Sequence, residues 1–427
     1  MMSEHLYFIL SIIIFIGAYI LIIWDKFDRA VVAMCGAVLM ILLRVVNQEE
    51  AFASIDFNTI GLLTAMMVIV MIMRYTGIFE YMAVVIVRKS KANPSVMLVL
   101  MALATGVLSA FLDNVTTILL MLPVLLSVTR DMKMNPIPFI ITMVFASNVG
   151  GTATLIGDPP NIMIGSQTGL DFLDFLANDG LIALPLLILT SIIFAFIFKK
   201  YLVASDDDRL KVMAINPIDC IKDTVLLRKS KYVFALVVLG FLFHGMLGLE
   251  SATIAIAGAV LLLLLSGMKS EEILLNVEWK TIFFFTGLFI MVGGIESTGV
   301  ISALSKAVIQ LSGGNLFITT ITILWVSALA SAFIDNIPFV ATMIPLIMDM
   351  GQMSDINVGP LWWALSLGAC LGGNGTIIGA SANVIAVGMS EREGYHISFG
   401  SYFRVAFPVM LLTILITTVY VIFMYLM

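Results

Sequence analysis

Apolar runs of membrane-spanning length recur along the chain, each bounded by a short polar or glycine-rich interruption. The first three fall at about 5–24, 29–46 and 57–76. An amphipathic piece follows at 78–89. A long apolar stretch at 95–129 then carries Asp113-Asn114 at its middle. Next come 137–164, broken by a Gly/Pro-rich run, and 180–201. Between 202 and 230 the polar positions take over, and that composition reads as a solvent-exposed linker. About 20 apolar residues cross a hydrocarbon core of about 30 Å, so these runs predict transmembrane helices. One continuous helix over 95–129 would be about 52 Å long at 1.5 Å per residue. That stretch must therefore bend, and the Asp-Asn pair is the natural place. Arms of about 18 and 14 residues favour a re-entrant hairpin over two crossings.

The pattern restarts at a constant shift, set by Asp113 and Asp335. Ser109-Ala110-Phe111 meets Ser331-Ala332-Phe333, and Asp113-Asn114 meets Asp335-Asn336. Thr76-Gly77 meets Thr298-Gly299. "GGTATLIGDPPN" (150–161) meets "GGNGTIIGASAN" (372–383), with no gap between about residue 36 and residue 161. The chain thus reads as two structural repeats. The expected boundaries are 1–205 for repeat 1 with its hairpin at 95–129, a cytoplasmic linker at 206–226, and 227–427 for repeat 2 with its hairpin at 317–352.

Charge decides how the repeats lie. If each crosses five times and each hairpin returns to its own side, one face collects 20 of the 22 Lys and Arg residues. Only Arg44 and Lys306 fall opposite, where the loops are acidic: Glu49, Glu50, Asp56, Asp171, Asp174, Asp179, Asp349 and Asp355. That is a positive-inside signal. Five is odd, so repeat 2 is expected inverted. The fold class is an all-α polytopic membrane protein: two inverted repeats of five transmembrane helices, each with a re-entrant hairpin and an interrupted helix, about 10 spans plus 2 hairpins. Residues 1–24 lack a basic n-region and a cleavage site, and read as an anchor rather than a signal peptide. Both termini are expected outside the plasma membrane.

Composition agrees with this reading: 61% of residues are hydrophobic, 12% are charged, and the mean hydropathy is +1.10. Soluble domains carry about 25% charged residues. Cys35, Cys220 and Cys370 form no CxxC, and His5, His244 and His396 form no ligand cluster. No Walker A motif occurs. These absences argue against an enzyme, a zinc site, a bound cofactor and a nucleic-acid partner. The energy source is expected to be an ion gradient or a separate subunit.

An intramembrane carboxylate is costly and functional by default, although Asp and Asn also favour helix N-caps. Broken helices survive at membrane depth only where they are buried in protein or line a wet cavity. The candidate ion- or substrate-binding residues are therefore Asp113, Asn114, Thr116, Thr117, Asn148, Gly151, Thr152, Thr154, Asp158, Asn161, Asp335, Asn336, Gly373, Asn374, Thr376 and Asn383. Their oxygens suit a hard cation, and a bound sodium is expected at Asp113, Asn114, Asp335 and Asn336. The glycines read as site-lining. Asp158, which has Ala380 as its counterpart, reads equally as a third carboxylate or as a cap. Cys370 is a packing residue unless the substrate is soft. Desolvation opposes a charged carboxylate and a bound cation favours it, so one site could exchange Na⁺ for H⁺.

"SAFLDNVTTILLMLP" with "ASNVGGTATLIGDPPNIMIGS" resembles the arsenite permease/NhaD-type antiporter group of the ion transporter superfamily, nearest its P-protein-like branch. The resemblance implies a homodimer with a scaffold and a moving transport part, working by an elevator-type motion. Related carboxylate transporters carry Ser-Asn-Thr at the hairpin tips, where this chain has Asp113-Asn114-Val115-Thr116 and Asp335-Asn336-Ile337-Pro338. Two or three carboxylates and no nearby Lys or Arg argue against an anionic substrate. The expected function is sodium/proton antiport. The alternatives are proton-coupled arsenite or antimonite efflux, with a separate ATPase subunit as a partner, and an anion channel or sodium-coupled carboxylate transporter.

Overall fold

The computed structural model describes residues 4–24, 26–354 and 356–427. Asp355 and residues 1–3, which carry part of the reading above, lie outside the described residues. The described chain is helical throughout, and nine of its helices are long and apolar enough to cross a membrane.

Repeat 1 holds α1 (Glu4–Trp24), α2 (Arg29–Leu42), α3 (Gln48–Ala53), α4 (Phe57–Tyr75), α5 (Ile78–Lys89), α6 (Pro94–Leu112), α7 (Asn114–Asp131), α8 (Ile137–Gly151), α9 (Pro159–Thr168) and α10 (Phe172–Ile197). A short α11 (Asp206–Met213) follows. Repeat 2 holds α12 (Thr224–Leu247), α13 (Ser251–Ser266), α14 (Ser270–Leu274), α15 (Trp279–Ser297), α16 (Val300–Ser312), α17 (Leu316–Phe333), α18 (Asn336–Met353), α19 (Gly359–Gly372), α20 (Ser381–Arg392) and α21 (Phe399–Val421). Each helix of repeat 1 has its counterpart in the same order. The bounds of α4 and α15, and of α7 and α18, keep the sequence shift to the residue.

The counterparts run in opposite directions. Ser54, just before α4, lies against Gly293 near the C-terminal end of α15, so α4 begins where α15 ends. Gly287 lies against Ala33, Gly36 against Met291 and Gly294 against Met40, so α15 runs parallel to α2. Each repeat therefore pairs its second long helix with the inverted fourth element of the other. At Gly287 the crossing puts backbone against backbone. A Cβ on Gly287 would come within 2.7 Å of Ala33 and Met34 backbone atoms.

The stretch 95–129 doubles back. Arg209 of α11 donates to the carbonyls of Lys91 and Ala92, just before α6. Asp208 of the same helix pairs with Lys133, just after α7. Both open ends of the hairpin thus rest on one short helix, with Asp113 at the far tip. The arms are 19 and 18 residues long, because α7 runs through Pro123 to Asp131.

Two further features differ from the sequence reading. The span expected at 180–201 begins earlier, at Phe172, behind a capping box made by Asp171 and Asp174. This extension buries Asp179 completely, so Asp179 is no loop residue. The segment 206–226, expected as a solvent-exposed linker, is largely exposed but also docked on the membrane part. Its α11 holds the hairpin base, Lys222 N donates to Thr76 O, and α12 already starts at Thr224. Polar composition gave no hint of this docking, because its anchors join residues far apart in sequence: Arg209 with the Lys91 and Ala92 carbonyls, and Asp208 with Lys133.

Gly77 is where that segment closes on the membrane part. Its φ is +80°, and a Cβ there would lie 2.0 Å from Cys220 O. The counterpart Gly299 has the same φ but nothing within 4 Å. Gly77→Ala is expected to cost about 2–3 kcal/mol, from left-handed strain plus the backbone clash. Gly299→Ala should cost about 1 kcal/mol, from strain alone. Thermal melting of the two variants in detergent checks the order.

The basic segments meet on one face through ion pairs far apart in sequence: Asp28–Lys280, Arg130–Glu393, Lys133–Asp208 and Glu80–Lys222. Lys280 donates to Asp28 and holds that exposed carboxyl below the usual range.

Candidate functional site

The two hairpin tips and the two helix breaks converge. Asp113 caps α7 by accepting from Thr116 N at 2.9 Å, with its own backbone at φ 63° and ψ 156°. Such a conformation in a non-glycine residue costs on the order of 1–3 kcal/mol and is typical of functional sites. The second tip is relaxed, with Asp335 at φ −49° and ψ 133°.

The breaks follow one pattern. Asn161 donates to the carbonyls of Thr152 and Thr154 at 3.1 and 3.0 Å. Its counterpart Asn383 donates to Gly373 and Thr376 at 2.8 Å each. Each amide thereby satisfies carbonyls that the broken helix leaves free. Thr154 donates to Ala110 O and Thr376 to Ala332 O, tying each break to its own hairpin. Thr152 donates back to Asn148 O. These three hydroxyls serve the backbone. Thr117 Oγ is buried without a partner.

The glycines do not line a cavity. A Cβ on Gly151 would lie 2.4 Å from Gly157 O, and one on Gly373 would lie 3.0 Å from Gly379 O. Gly150 presses on Gly106 and Gly372 on Ala328. Gly151 and Gly373 close each break upon itself, which corrects the site-lining expectation.

Asn148 is the hub between the repeats. It accepts from Asn114 at 3.1 Å and donates to Asn374 and Asn383 at 3.1 and 2.9 Å. Asp158 is fully buried and makes no side-chain cap. It accepts instead from Asn336 at 3.4 Å, so the second hairpin tip docks on the first break. Of the two readings of Asp158, the helix cap is not what the structure shows.

The aspartates do not form one cage. Asp335 accepts from Arg29 at 2.9 Å and from Ser381 at 2.7 Å. The expected sodium set of Asp113, Asn114, Asp335 and Asn336 is therefore divided. Asn114 bonds Asn148, Asn336 bonds Asp158, and Asp335 is paired with a cation. The argument that no Lys or Arg lies near the tips is also overturned. Arg29 is 306 residues from Asp335 in sequence, and no local pattern in the chain links them.

A cavity of about 460 Å³ opens from the basic face onto this site. Asp113 lines it, together with Lys26, Arg29, Lys280 and Glu278. First-turn residues of six helices also line it: Ala30 of α2, Val115 of α7, Pro159 of α9, Thr281 of α15, Ile337 of α18 and Ser381 of α20. Their dipoles turn positive ends toward the space. The termini differ in what they offer. Asp28, Asp113 and Asp335 cap α2, α7 and α18. α9 starts with Pro159-Pro160, which have no N–H. α20 starts with Ser381-Ala382 and α15 with Trp279-Lys280, and neither has a side-chain cap, so both leave first-turn N–H groups without a side-chain partner.

A second cavity, of about 500 Å³, lies at the other end of α15 and is lined by Glu50, Asp56 and Glu296 among apolar residues. Phe284 borders the first cavity and Phe289 the second. Five residues of helix, about 7.5 Å, separate them along α15. None of the hairpin-tip or helix-break residues lines the second cavity.

Residues 19–368 match the family model described as Citrate transporter. An uncharacterized transporter of Mycobacterium bovis is 41% identical over 422 residues, covering 96% of this chain and 97% of its own length. The 46 kDa membrane protein of Mycobacterium leprae is 38% identical over 418 residues, with the same coverage. The P protein of Sus scrofa is 33% identical over 496 residues, covering 96% of this chain but 59% of the P protein. The crystal structure of the YdaH transporter of Alcanivorax borkumensis, noted for an unusual topology, shares the fold. Its TM-score is 0.55 at 13% identity, over 95% of this chain and 97% of that one. With its fold, its family match and these relatives in agreement, the chain belongs to the citrate transporter family of membrane transporters.

Proposed function

We propose that this transporter carries a small anion, driven by a cation gradient, with the two charges held by different repeats. One observation carries the reading: the repeats have diverged at the cavity floor. The first supplies Asp113 to the cavity, with no cation paired to it, a fully buried Asp158, and a break whose helix begins with two prolines. The second supplies a break whose helix offers free N–H groups beside Arg29, and an aspartate already neutralised. An anion favours helix N-termini and guanidinium. A desolvated carboxylate favours Na⁺ or H⁺. The name of the matched family makes citrate the first anion to try. Arg29, held in place by Asp335, is the cation that a substrate carboxylate would meet.

The sodium/proton antiport reading stands second. It is favoured by Asp113 lining a cavity that opens to one face. Arsenite efflux with a docked ATPase has less support, because Cys370 bonds Asn161 inside the protein and does not line the cavity. In the proposed cycle the basic face is cytoplasmic in the plasma membrane, and the cavity shown is inward-open. An elevator-type movement of hairpins and broken helices within a homodimer would expose the same floor outside. Proteoliposomes given labelled citrate and an inward Na⁺ or H⁺ gradient, with a pH dye inside, test the reading. Saturable uptake that collapses with the gradient is expected. Proton movement driven by Na⁺ with no anion present would select the antiporter instead.

A further inference from the structure

Outside the cavity one buried carboxyl has no role in the scheme above. Asp179 lies on α10, fully buried, and its Oδ1 has no hydrogen-bond partner. Its Oδ2 meets Ser366 Oγ of α19. The same Ser366 oxygen lies 2.7 Å from Asn161 Oδ1. Asn161 is oriented without ambiguity, because its nitrogen is spent on Thr152 O and Thr154 O. Its Oδ1 can only accept.

The hydrogens must then be counted. Ser366 has one hydrogen and two neighbours at bonding distance. If Asp179 were ionised, both neighbours would be pure acceptors, and one contact would set oxygen against oxygen with nothing between. A proton on Asp179 resolves the chain: Asp179 O–H donates to Ser366, and Ser366 O–H donates to Asn161. A neutral carboxyl also tolerates the unpartnered Oδ1, which a buried carboxylate would not.

We infer that Asp179 is a proton-binding carboxyl of the transport machinery, linked through Ser366 to the amide that closes the α8–α9 break. The coupling role rests on the transporter reading above, whereas the protonated state does not. When the proton leaves to water, the Ser366 hydrogen turns to the Asp179 carboxylate. Asn161 Oδ1 then keeps only the Cys370 thiol, at 3.4 Å. The closure of the break over Thr152 and Thr154 is thereby weakened at the same step. The sequence repeat gives no sign of this device, because its gap-free register ends near residue 161, before Asp179.

The titratable groups around Asp179 are few. Cys370 lies on α19 and donates to Asn161, and Asp158 stands just before α9. Tyr420 and Tyr425, at the end of the chain, donate to the neighbouring Asn178. Asp171, Asp174 and His244 gather at the N-terminus of α10. Helices α6 and α8 carry no titratable residue.

Infrared spectroscopy of the full chain in nanodiscs at pH 7 tests the protonated state directly. Wild type minus Asp179→Asn should show a protonated-carboxyl C=O band, and Ser366→Ala should shift that band. If the difference spectrum holds only carboxylate bands, the inference is overturned. The coupling role is tested in proteoliposomes with labelled citrate and an internal pH dye. Asp179→Asn, which keeps a donor to Ser366, should lose proton movement at least tenfold while still binding the anion. An unchanged proton-to-anion ratio and pH profile would overturn the coupling role. The Ser366→Ala spectrum decides the protonated state if Asp179→Asn does not fold.

Discussion

Asp113→Asn lowers gradient-driven transport by about 10²-fold or more, with little loss of folded protein. The carboxylate is the one charged group at the hairpin tip that no cation of the described residues pairs with in the structure. Hydrogen bonds and ion contacts to a charged group are worth about 1.5–3 kcal/mol each, and 1.4 kcal/mol is about tenfold in an equilibrium constant. Asparagine caps a helix about as well as aspartate, so the bond from Thr116 N and the bend at the tip survive. Asn also tolerates positive φ better than most residues. A loss of transport with an unchanged melting curve therefore separates the charge from the cap. Flux in proteoliposomes and melting in detergent are the two measurements. Asp158→Asn should act in the same direction, because Asn336 already satisfies one edge of that side chain.

Arg29→Ala fails differently, in stability as well as transport. Asp335 is almost fully buried, and its carboxylate would be left with Ser381 and the α18 N-terminus alone. Removing one partner of a buried pair costs about 3–5 kcal/mol. The Arg29 side chain is 18% exposed, which places the expected cost at the lower end, about 3 kcal/mol. The double variant Arg29→Gln, Asp335→Asn removes both charges and should recover most of that stability. It should not recover anion uptake, because the guanidinium is the proposed anchor. Arg29→Lys should keep the ion pair yet lose affinity, since an ammonium lacks the planar fork that grips a carboxylate. Full uptake by the double variant would make the pair a structural clasp only.

Much of the architecture was legible because it rests on repetition and length. The constant shift from Asp113 to Asp335 forecast helix bounds that coincide for α4 and α15, and the positive-inside count forecast the inversion. The helix breaks were legible from glycine and proline, although their glycines turned out to seal the loops rather than line a cavity. The site itself was half legible. Sequence placed Asp113, Asp158, Asn148, Asn161 and Asn383 together, since each lies within or beside a repeated motif. It missed Arg29, which stands at the start of α2 beside Lys26 and reads there as an ordinary inside-facing cation. It also missed Asp179 and Ser366, which meet only because α10 begins earlier than its apolar run. Polar contacts between helices distant in sequence leave no periodic trace, and both omissions are of that kind.

The central claim is that one transporter holds an anion and a driving cation on different repeats. Uptake of labelled di- and tricarboxylates into proteoliposomes, under Na⁺ and H⁺ gradients imposed separately, tests it most directly. The account predicts saturable uptake that needs a gradient, is lost in Asp113→Asn, and loses affinity in Arg29→Lys. Uptake that neither saturates nor depends on a gradient, or full transport by Asp113→Asn, would contradict it.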